Sequence, residues 1–128
     1  MVVVPHPSEH RSATEPVDVA ESDRLAEAMT AFTAGSRLRL LFALVDGELP
    51  VEGLAERCAM TATAASQQLR VLRQLHAVAV RREGRRAYYR LFDHHMVDLL
   101  TAVRHHGEHR TLPAPAADGG DRLGHAHA

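Results

Sequence analysis

Four side chains near the end of the sequence have the types and spacing needed to bind a metal ion. Asp93 and His95 are separated by one residue, and His106 and His109 are three residues apart. Residues three apart on a helix share one face. Carboxylate oxygen and imidazole nitrogen are good ligands for a divalent transition ion. Residues 93–109 are therefore a candidate metal-binding segment.

This segment is predicted to be one amphipathic helix, because apolar residues recur at helical intervals between Met96 and Val103. Along a straight helix His95 and His106 are then about 16 Å apart, since each residue adds ~1.5 Å. One ion cannot bind both ends of a single helix. If two such helices lie antiparallel in a two-fold dimer, the start of one helix lies beside the end of the other. The spacing predicts a homodimer if a metal site exists. The alternative is that these histidines face solvent or interact with the helix C-terminus.

The middle of the chain carries a basic block suited to binding phosphate. Within a net charge of −1, residues 57–90 contain eight arginines and one acid, whereas residues 1–56 contain ten acids and four arginines. The chain has no lysine, so every basic side chain is a guanidinium that can bind phosphate or guanine through two hydrogen bonds. This segregation is typical of nucleic-acid binding. A solvated basic face is the alternative interpretation.

The first helix is expected to begin with Ser22 or Asp18 as its N-cap. Apolar side chains then recur at spacings of three and four, which predicts one buried face. These residues are Leu25, Ala28, Met29 and Phe32. Such a face can pack on the chain's own core or on a partner subunit, and we expect it to do both.

Three further helices are expected before the chain changes to strands. Ser36 is predicted to cap the second helix after Gly35, and a third helix is predicted over residues 51–58. The fourth is expected to begin with Thr61 or Thr63 as its cap. A short helix, a tight turn and a helix with one polar face together form a helix-turn-helix.

The fourth helix carries polar residues that could read DNA. The first exposed residues of such a recognition helix reach base edges in the major groove, where glutamine can pair with adenine and arginine with guanine. Together with two arginines of the hairpin that follows, the predicted DNA-contacting residues are Thr63, Ala64, Ser66, Gln67, Gln68, Arg70, Arg73, Arg85 and Arg86. The alternative is a plain pair of helices whose polar residues face water.

Two short strands joined by a tight turn are predicted next. Val78 and Val80 belong to the first strand, Tyr88 and Leu91 to the second, and Gly84 supplies the positive φ that the turn needs. Four arginines are expected at the tip, namely Arg81, Arg82, Arg85 and Arg86. Their mutual repulsion would be relieved by an anionic partner. The predicted fold class is mainly α with a small β-hairpin wing, a winged helix-turn-helix.

The length of 128 residues predicts one domain over residues 18–110, with a flexible arm over 1–17 and a flexible tail over 111–128. No apolar run is long enough to cross a membrane and no signal peptide is evident, so we expect a cytoplasmic protein with no membrane partner. Cys58 is the single cysteine, which excludes an internal disulfide and a Cys-rich zinc ribbon. Because no general base or substrate pocket is evident, a metallohydrolase or other enzyme is not expected.

Residues from about 20 to 110 resemble the ArsR/SmtB family of metal-responsive winged-helix repressors. The resemblance rests on SRLRLL at 36–41, SQQLRVLR at 66–73, GRRAYYRL at 84–91, and the Asp-x-His and His-x-x-His pairs of the last helix. The spacing of the family's metal motif on its C-terminal helix is kept. The resemblance implies a homodimer through the first and last helices, bound to a palindromic DNA operator and released when metal binds.

The resemblance also implies that each metal site takes two ligands from each subunit, Asp93 and His95 from one and His106 and His109 from the other. Oxygen and nitrogen ligands without sulfur suit Zn, Co or Ni. A six-coordinate Ni or Co site would need further ligands, which terminal histidines could supply, namely His6, His10, His125 and His127. The alternative is that the two terminal segments have no role in metal binding.

The sequence departs from the family pattern in two places. The family's cysteine motif would fall at residues 49–54, where this chain has no cysteine, so a thiolate site for soft metals is absent. Gln67 stands where the recognition helix often has histidine, which could alter base preference. The alternative function is a winged-helix regulator with no metal response, in which the Cys58 thiol could serve as the sensor.

Overall fold

The computed structural model of this chain describes residues 11–111. The helices are α1 (Val19–Met29), α2 (Gly35–Ala43), α3 (Val51–Arg57), α4 (Ala62–Gln74) and α5 (His94–Thr111), and a 3-10 turn (Thr30–Phe32) follows α1. The strands are β1 (Leu49–Pro50), β2 (Val78–Glu83) and β3 (Arg86–Leu91). This order confirms the prediction of a mainly α winged helix-turn-helix. Most of the predicted arm and tail lies outside the described residues.

Side-chain caps fix where two of the helices begin. Asp18 caps α1, since its Oδ1 accepts a hydrogen bond from the backbone N–H of Glu21 at 2.8 Å. Thr61 caps α4 in the same way, through a 3.0 Å bond from Ala64 N–H to its Oγ1. The prediction that Ser36 caps α2 is wrong. The helix already includes Gly35, and its N-cap position holds Ala34, which makes no side-chain hydrogen bond.

The three strands form one antiparallel sheet in the order β1-β3-β2. The β2–β3 hairpin is the predicted wing, with Gly84 at φ +61° in its turn. The strand β1 was not predicted. It has two residues, and Leu49 lies opposite Tyr89 of β3. Its pairing ties the wing to the turn before α3.

The hydrophobic core lies between α2, α3, α4 and the sheet. Side chains with no exposed surface come from all three helices, namely Leu40, Leu41, Leu54, Leu69 and Leu72. Burying each such leucine is worth about 1.5–3 kcal/mol. Met96 and Leu100 of α5 close one side of this core. The prediction that Leu69 and Leu72 form the buried face of the recognition helix is confirmed.

The apolar face of α1 is not covered by any part of the chain that the structure describes. No residue of α1 is buried, and Leu25 and Met29 keep 49% and 41% of their surface exposed. The expectation that this face packs on the chain's own core is wrong for Leu25, Ala28 and Met29, which stay exposed, and holds only for Phe32, just beyond the helix. Leu99 of α5 is also 37% exposed. Within residues 11–111, no helix is long and apolar enough to cross a membrane.

Candidate DNA-binding surface and metal-binding helix

The N-terminal half of α4 presents a concave polar surface. Thr63, Ser66, Gln67 and Arg70 line it together, and all four side chains are exposed. They share one face because their spacing follows the helical repeat, while Ala65, Leu69 and Leu72 face the core. Among the other predicted DNA contacts, Ala64 is half-buried and Arg73 is exposed on the last turn. The side chains with the chemistry to read base edges therefore lie next to one another.

Gln68 differs from its neighbours on α4 because its side chain already has a partner. Its Oε1 accepts a hydrogen bond from Nη1 of Arg37 at 3.0 Å, in a partly buried position. Arg37 lies on α2, 31 positions earlier in the chain. No spacing in the sequence indicates such a contact, because it depends on how two helices pack.

The wing carries its exposed arginines at the turn and on the strands beside it. Arg82 and Arg85 are exposed and make no ion pair with any residue in the range 11–111. Arg86 lies 3.7 Å from Glu52, and its guanidinium is 5.6 Å from the centre of the Tyr88 ring. Exposed guanidiniums at a hairpin tip are placed to bind phosphates beside a groove.

Arg81 is also exposed, but unlike Arg82 and Arg85 its guanidinium already has ion-pair partners. Its guanidinium binds Glu48 at 2.6 Å and Glu83 at 2.9 Å and lies 4.7 Å from the centre of the Tyr88 ring. The hydrogen bond from Arg81 lowers the pKa of the Glu48 carboxyl, and the same bond raises the pKa of Arg81. Arg81 therefore anchors the wing to the residue that precedes β1.

The predicted metal ligands lie at opposite ends of α5. Asp93 and His95 are neighbours at its start, with 3.5 Å between Oδ2 and Nδ1. His106 and His109 lie in its last turns and are exposed. No three His, Cys, Asp or Glu side chains of the described segment come together as a metal site. Carboxylate oxygen and imidazole nitrogen are thus available at both ends of the helix, and their binding of metal stays a prediction. His6, His10, His125 and His127 lie outside the described residues.

Cys58 is buried at the end of α3 rather than exposed. Its Sγ donates a hydrogen bond to the carbonyl oxygen of Arg39 at 3.3 Å. Burial raises the pKa of the Cys58 thiol, with the charge of Arg39 acting in the opposite direction. A raised pKa lowers the fraction of reactive thiolate at neutral pH. These surroundings suit a packed core residue better than a thiol sensor.

Comparison with known proteins places this fold in a family. Residues 35–78 match the family described as bacterial regulatory protein, arsR family. The chain is 42% identical over 97 residues to the HTH-type transcriptional regulator NmtR of Mycobacterium tuberculosis, covering 76% of this chain and 81% of that protein. It is 39% identical over 92 residues to a transcriptional repressor SmtB homolog of Synechocystis, covering 72% and 70%.

Solved structures agree with the sequence matches. The homodimeric winged helix-turn-helix DNA-binding domain of a possible ArsR-family regulator from Mycobacterium bovis superimposes with a TM-score of 0.67 at 31% identity, covering 78% of this chain and 93% of that one. The relatives are transcriptional regulators and not enzymes, which confirms that no enzyme is to be expected here. The chain belongs to the ArsR family of bacterial regulatory proteins.

Proposed function

We propose that this protein is a cytoplasmic, metal-responsive transcriptional repressor that leaves its DNA operator when a divalent ion binds. One observation carries the proposal. A chain of the ArsR family holds Asp93 and His95 at one end of an exposed helix and His106 and His109 at the other. Two copies of this helix lying antiparallel would bring the two pairs of ligands together.

The proposed dimer forms through α1 and α5, within a domain over residues 18–110. The apolar surface that one chain leaves exposed supports this assembly, because α1 buries no residue and Leu25, Met29 and Leu99 remain accessible. Exposed apolar side chains that share one helix face, as Leu25 and Met29 do, mark interaction surfaces. In a two-fold dimer the same faces of both subunits meet, so one interface buries the exposed apolar face of each subunit.

DNA binding is assigned to α4 and the wing. Thr63, Ser66, Gln67 and Arg70 would face the major groove of a palindromic operator, with Ala64 and Arg73 on the same helix. Arg85 and Arg86 of the wing would bind phosphates outside the groove. Two recognition helices in a dimer contact two half-sites, so their separation must match one turn of DNA.

The proposed metal site takes Asp93 and His95 from one subunit and His106 and His109 from the partner. These oxygen and nitrogen donors fit Zn, Co or Ni, and the absence of sulfur disfavours softer ions. The bound ion would hold the two α5 helices in one arrangement. A six-coordinate site would take further ligands from His6, His10, His125 or His127. If His6 or His10 supplies one, deleting residues 1–17 would weaken Ni binding; unchanged Ni affinity would exclude this N-terminal pair.

The test is the binding of full-length protein to a fluorescent duplex, selected by this protein from a random pool, with Zn, Co or Ni added. We expect one ion to weaken DNA binding of the wild type by a factor in the range of about 5–150, the usual strength of such coupling. His106→Ala should stay bound. His105→Ala, next to it on the exposed helix, is the matched control and should be released.

The metal response has a clear contradicting result. If wild type and His106→Ala both stay bound with every ion, the protein is a winged-helix regulator whose signal lies elsewhere. Retained binding would then direct attention to Cys58, although its burial and raised thiol pKa argue against a sensor role.

A further inference from the structure

The side chain of Arg37 connects three helices. It lies on α2, and its Nη1 donates to Oε1 of Gln68 on α4 at 3.0 Å. Its Nη2 and Nε donate to the carbonyl oxygen of Thr30, at the end of α1, at 2.9 Å and 3.2 Å. Nη2 also lies 3.3 Å from Oγ1 of Thr33. One planar guanidinium therefore bridges the end of α1 and the middle of the recognition helix.

The Thr30 carbonyl is held from several sides. Carbonyl groups at a helix C-terminus have no partner within the helix. Here the Thr30 oxygen also accepts from the Oγ1 of Thr33 at 2.9 Å and from its backbone N–H at 3.2 Å. The end of α1 is thus a fixed point, and Arg37 joins the recognition helix to it.

The same contact decides what Gln68 can do. A guanidinium has no acceptor, so the atom of Gln68 facing Arg37 must be its oxygen. Reading adenine with two hydrogen bonds requires both the oxygen and the nitrogen of a glutamine amide. Because its oxygen is bound to Arg37 in a partly buried position, the amide of Gln68 is oriented by Arg37 and is not free to turn towards a base. Gln67, one residue earlier, is exposed on the concave surface.

We propose that Arg37 is a positioning residue that fixes the recognition helix to the end of α1, and that Gln68 orients this helix instead of reading a base. The inference rests on the proposed function, in which α1 belongs to the dimer interface. The bridge then transmits the arrangement of the dimer to the recognition helix. A dimer must place two recognition helices about 34–36 Å apart, so a loosened helix loses affinity for both half-sites.

The experiment is a double-mutant cycle on operator binding by the full-length protein. Arg37→Lys keeps the charge but replaces the planar fork with one point donor. Gln68→Met keeps the length of the side chain and removes the acceptor. We expect each variant to bind the operator roughly tenfold more weakly, the usual scale for losing a hydrogen bond to a charged group. The double variant should bind no more weakly than either single variant, because both changes break one bridge.

Two further readouts separate positioning from base reading and from loss of fold. On a panel of operators with single base-pair changes, Gln68→Met should weaken every duplex by one factor, whereas Gln67→Met should change the preference at one base pair. The metal-induced release factor should also be smaller in Arg37→Lys than in wild type, at temperatures where circular dichroism shows both proteins folded.

Three results would each contradict the proposed role of the Arg37 bridge. They are additive effects of the two changes in the cycle, a changed base preference in Gln68→Met, and wild-type affinity for the operator in Arg37→Lys. These outcomes leave the repressor proposal intact, provided that the wild type is released by metal. A wild type that metal does not release would overturn the repressor proposal. A wild type that binds no operator would overturn both.

Discussion

The winged-helix core, residues 35–91, and the two outer helices α1 and α5 differ in how completely one chain buries them. Each helix of the winged-helix core contributes at least two buried residues. In contrast, α1 contributes none, and α5, whose 18 residues make it twice as long as the 9-residue α2, contributes only Met96 and Leu100 among its described side chains. The core also holds its own wing through Arg81 and Glu48.

This difference in burial suggests which functions a single chain can form by itself and which need a second chain. The surface proposed to bind DNA is assembled within a single winged-helix core, since α4 and the wing lie on one folded unit. The proposed metal ligands, on the other hand, are divided between the two ends of α5. The apolar face of α1 is left exposed by the described part of the chain. We infer that sensing requires two chains, while the shape that recognises DNA does not.

The largest expected effect follows from placing a charge on the exposed face of α1. Leu25→Asp should raise the dissociation constant of the dimer by about 100-fold or more, because each two-fold interface contains the change twice and each copy loses a leucine contact worth about 1.5–3 kcal/mol. Sedimentation equilibrium measures this constant. The helix content of the winged-helix core should remain.

Ala20→Asp is the matched control, since Ala20 is exposed on the same helix and lies far around it from Leu25. It should leave the dimer unchanged. If Leu25→Asp also left the dissociation constant of the dimer unchanged, the claim that the exposed face of α1 packs on a partner subunit would be contradicted.

A smaller effect is expected from the wing arginines, within the winged-helix core. Arg85→Gln should weaken operator binding several-fold on all sequences and reduce the slope of log K against log salt by about 0.9, the share of one phosphate contact. Arg81→Gln should change the slope less, because Arg81 is already bound to Glu48 and Glu83. Fluorescence anisotropy over a range of salt concentrations measures both. Equal slopes for the two variants would show that the Arg81 ion pairs do not hold it away from DNA.

The smallest effect concerns acid stability of the wing anchor. Because Arg81 lowers the pKa of Glu48 in the folded protein, the unfolded chain takes up a proton first as the pH falls below the ordinary carboxyl value of 4.5. The stability that the pair contributes is present above that value and is lost as the pH falls through the lowered folded-state pKa. Glu48→Gln should therefore differ from wild type in urea denaturation midpoint near about pH 6 and differ less near about pH 3. A pH-independent difference would contradict this linkage.

Sequence patterns predicted the parts of the fold that depend on local chemistry. Thr61 caps α4, Leu69 and Leu72 face the core, and Gly84 turns the wing, because capping, helical periodicity and positive φ are properties of a few neighbouring residues. The strand β1 was not predicted, because two residues are too few to show the alternation of apolar and polar side chains that indicates a strand. Ser36 was a plausible cap, but the helix already begins at Gly35, so Ser36 lies within its first turn.

In the candidate site too, the features that depend on local spacing were predicted and those that depend on tertiary packing were not. The exposed face of α4 followed from spacing, whereas the partners of Gln68 and Arg81 are 31 and 33 residues away and depend on tertiary packing. The pairing of Asp93 and His95 is local and their approach is observed. The proposal that His106 and His109 join them from a second subunit followed from the spacing of the two pairs along the helix, and its geometry depends on packing between chains.

The sheet order β1-β3-β2 has a consequence for behaviour at high concentration. Unpaired strand edges invite other chains to add a strand, which leads to aggregation. Here one edge strand has two residues, of which Pro50 has no N–H to offer, and the other edge carries Arg81 and Arg82. Both edges are therefore poor templates for strand addition, and the wing can stand away from the body of the protein without becoming a site of polymerisation.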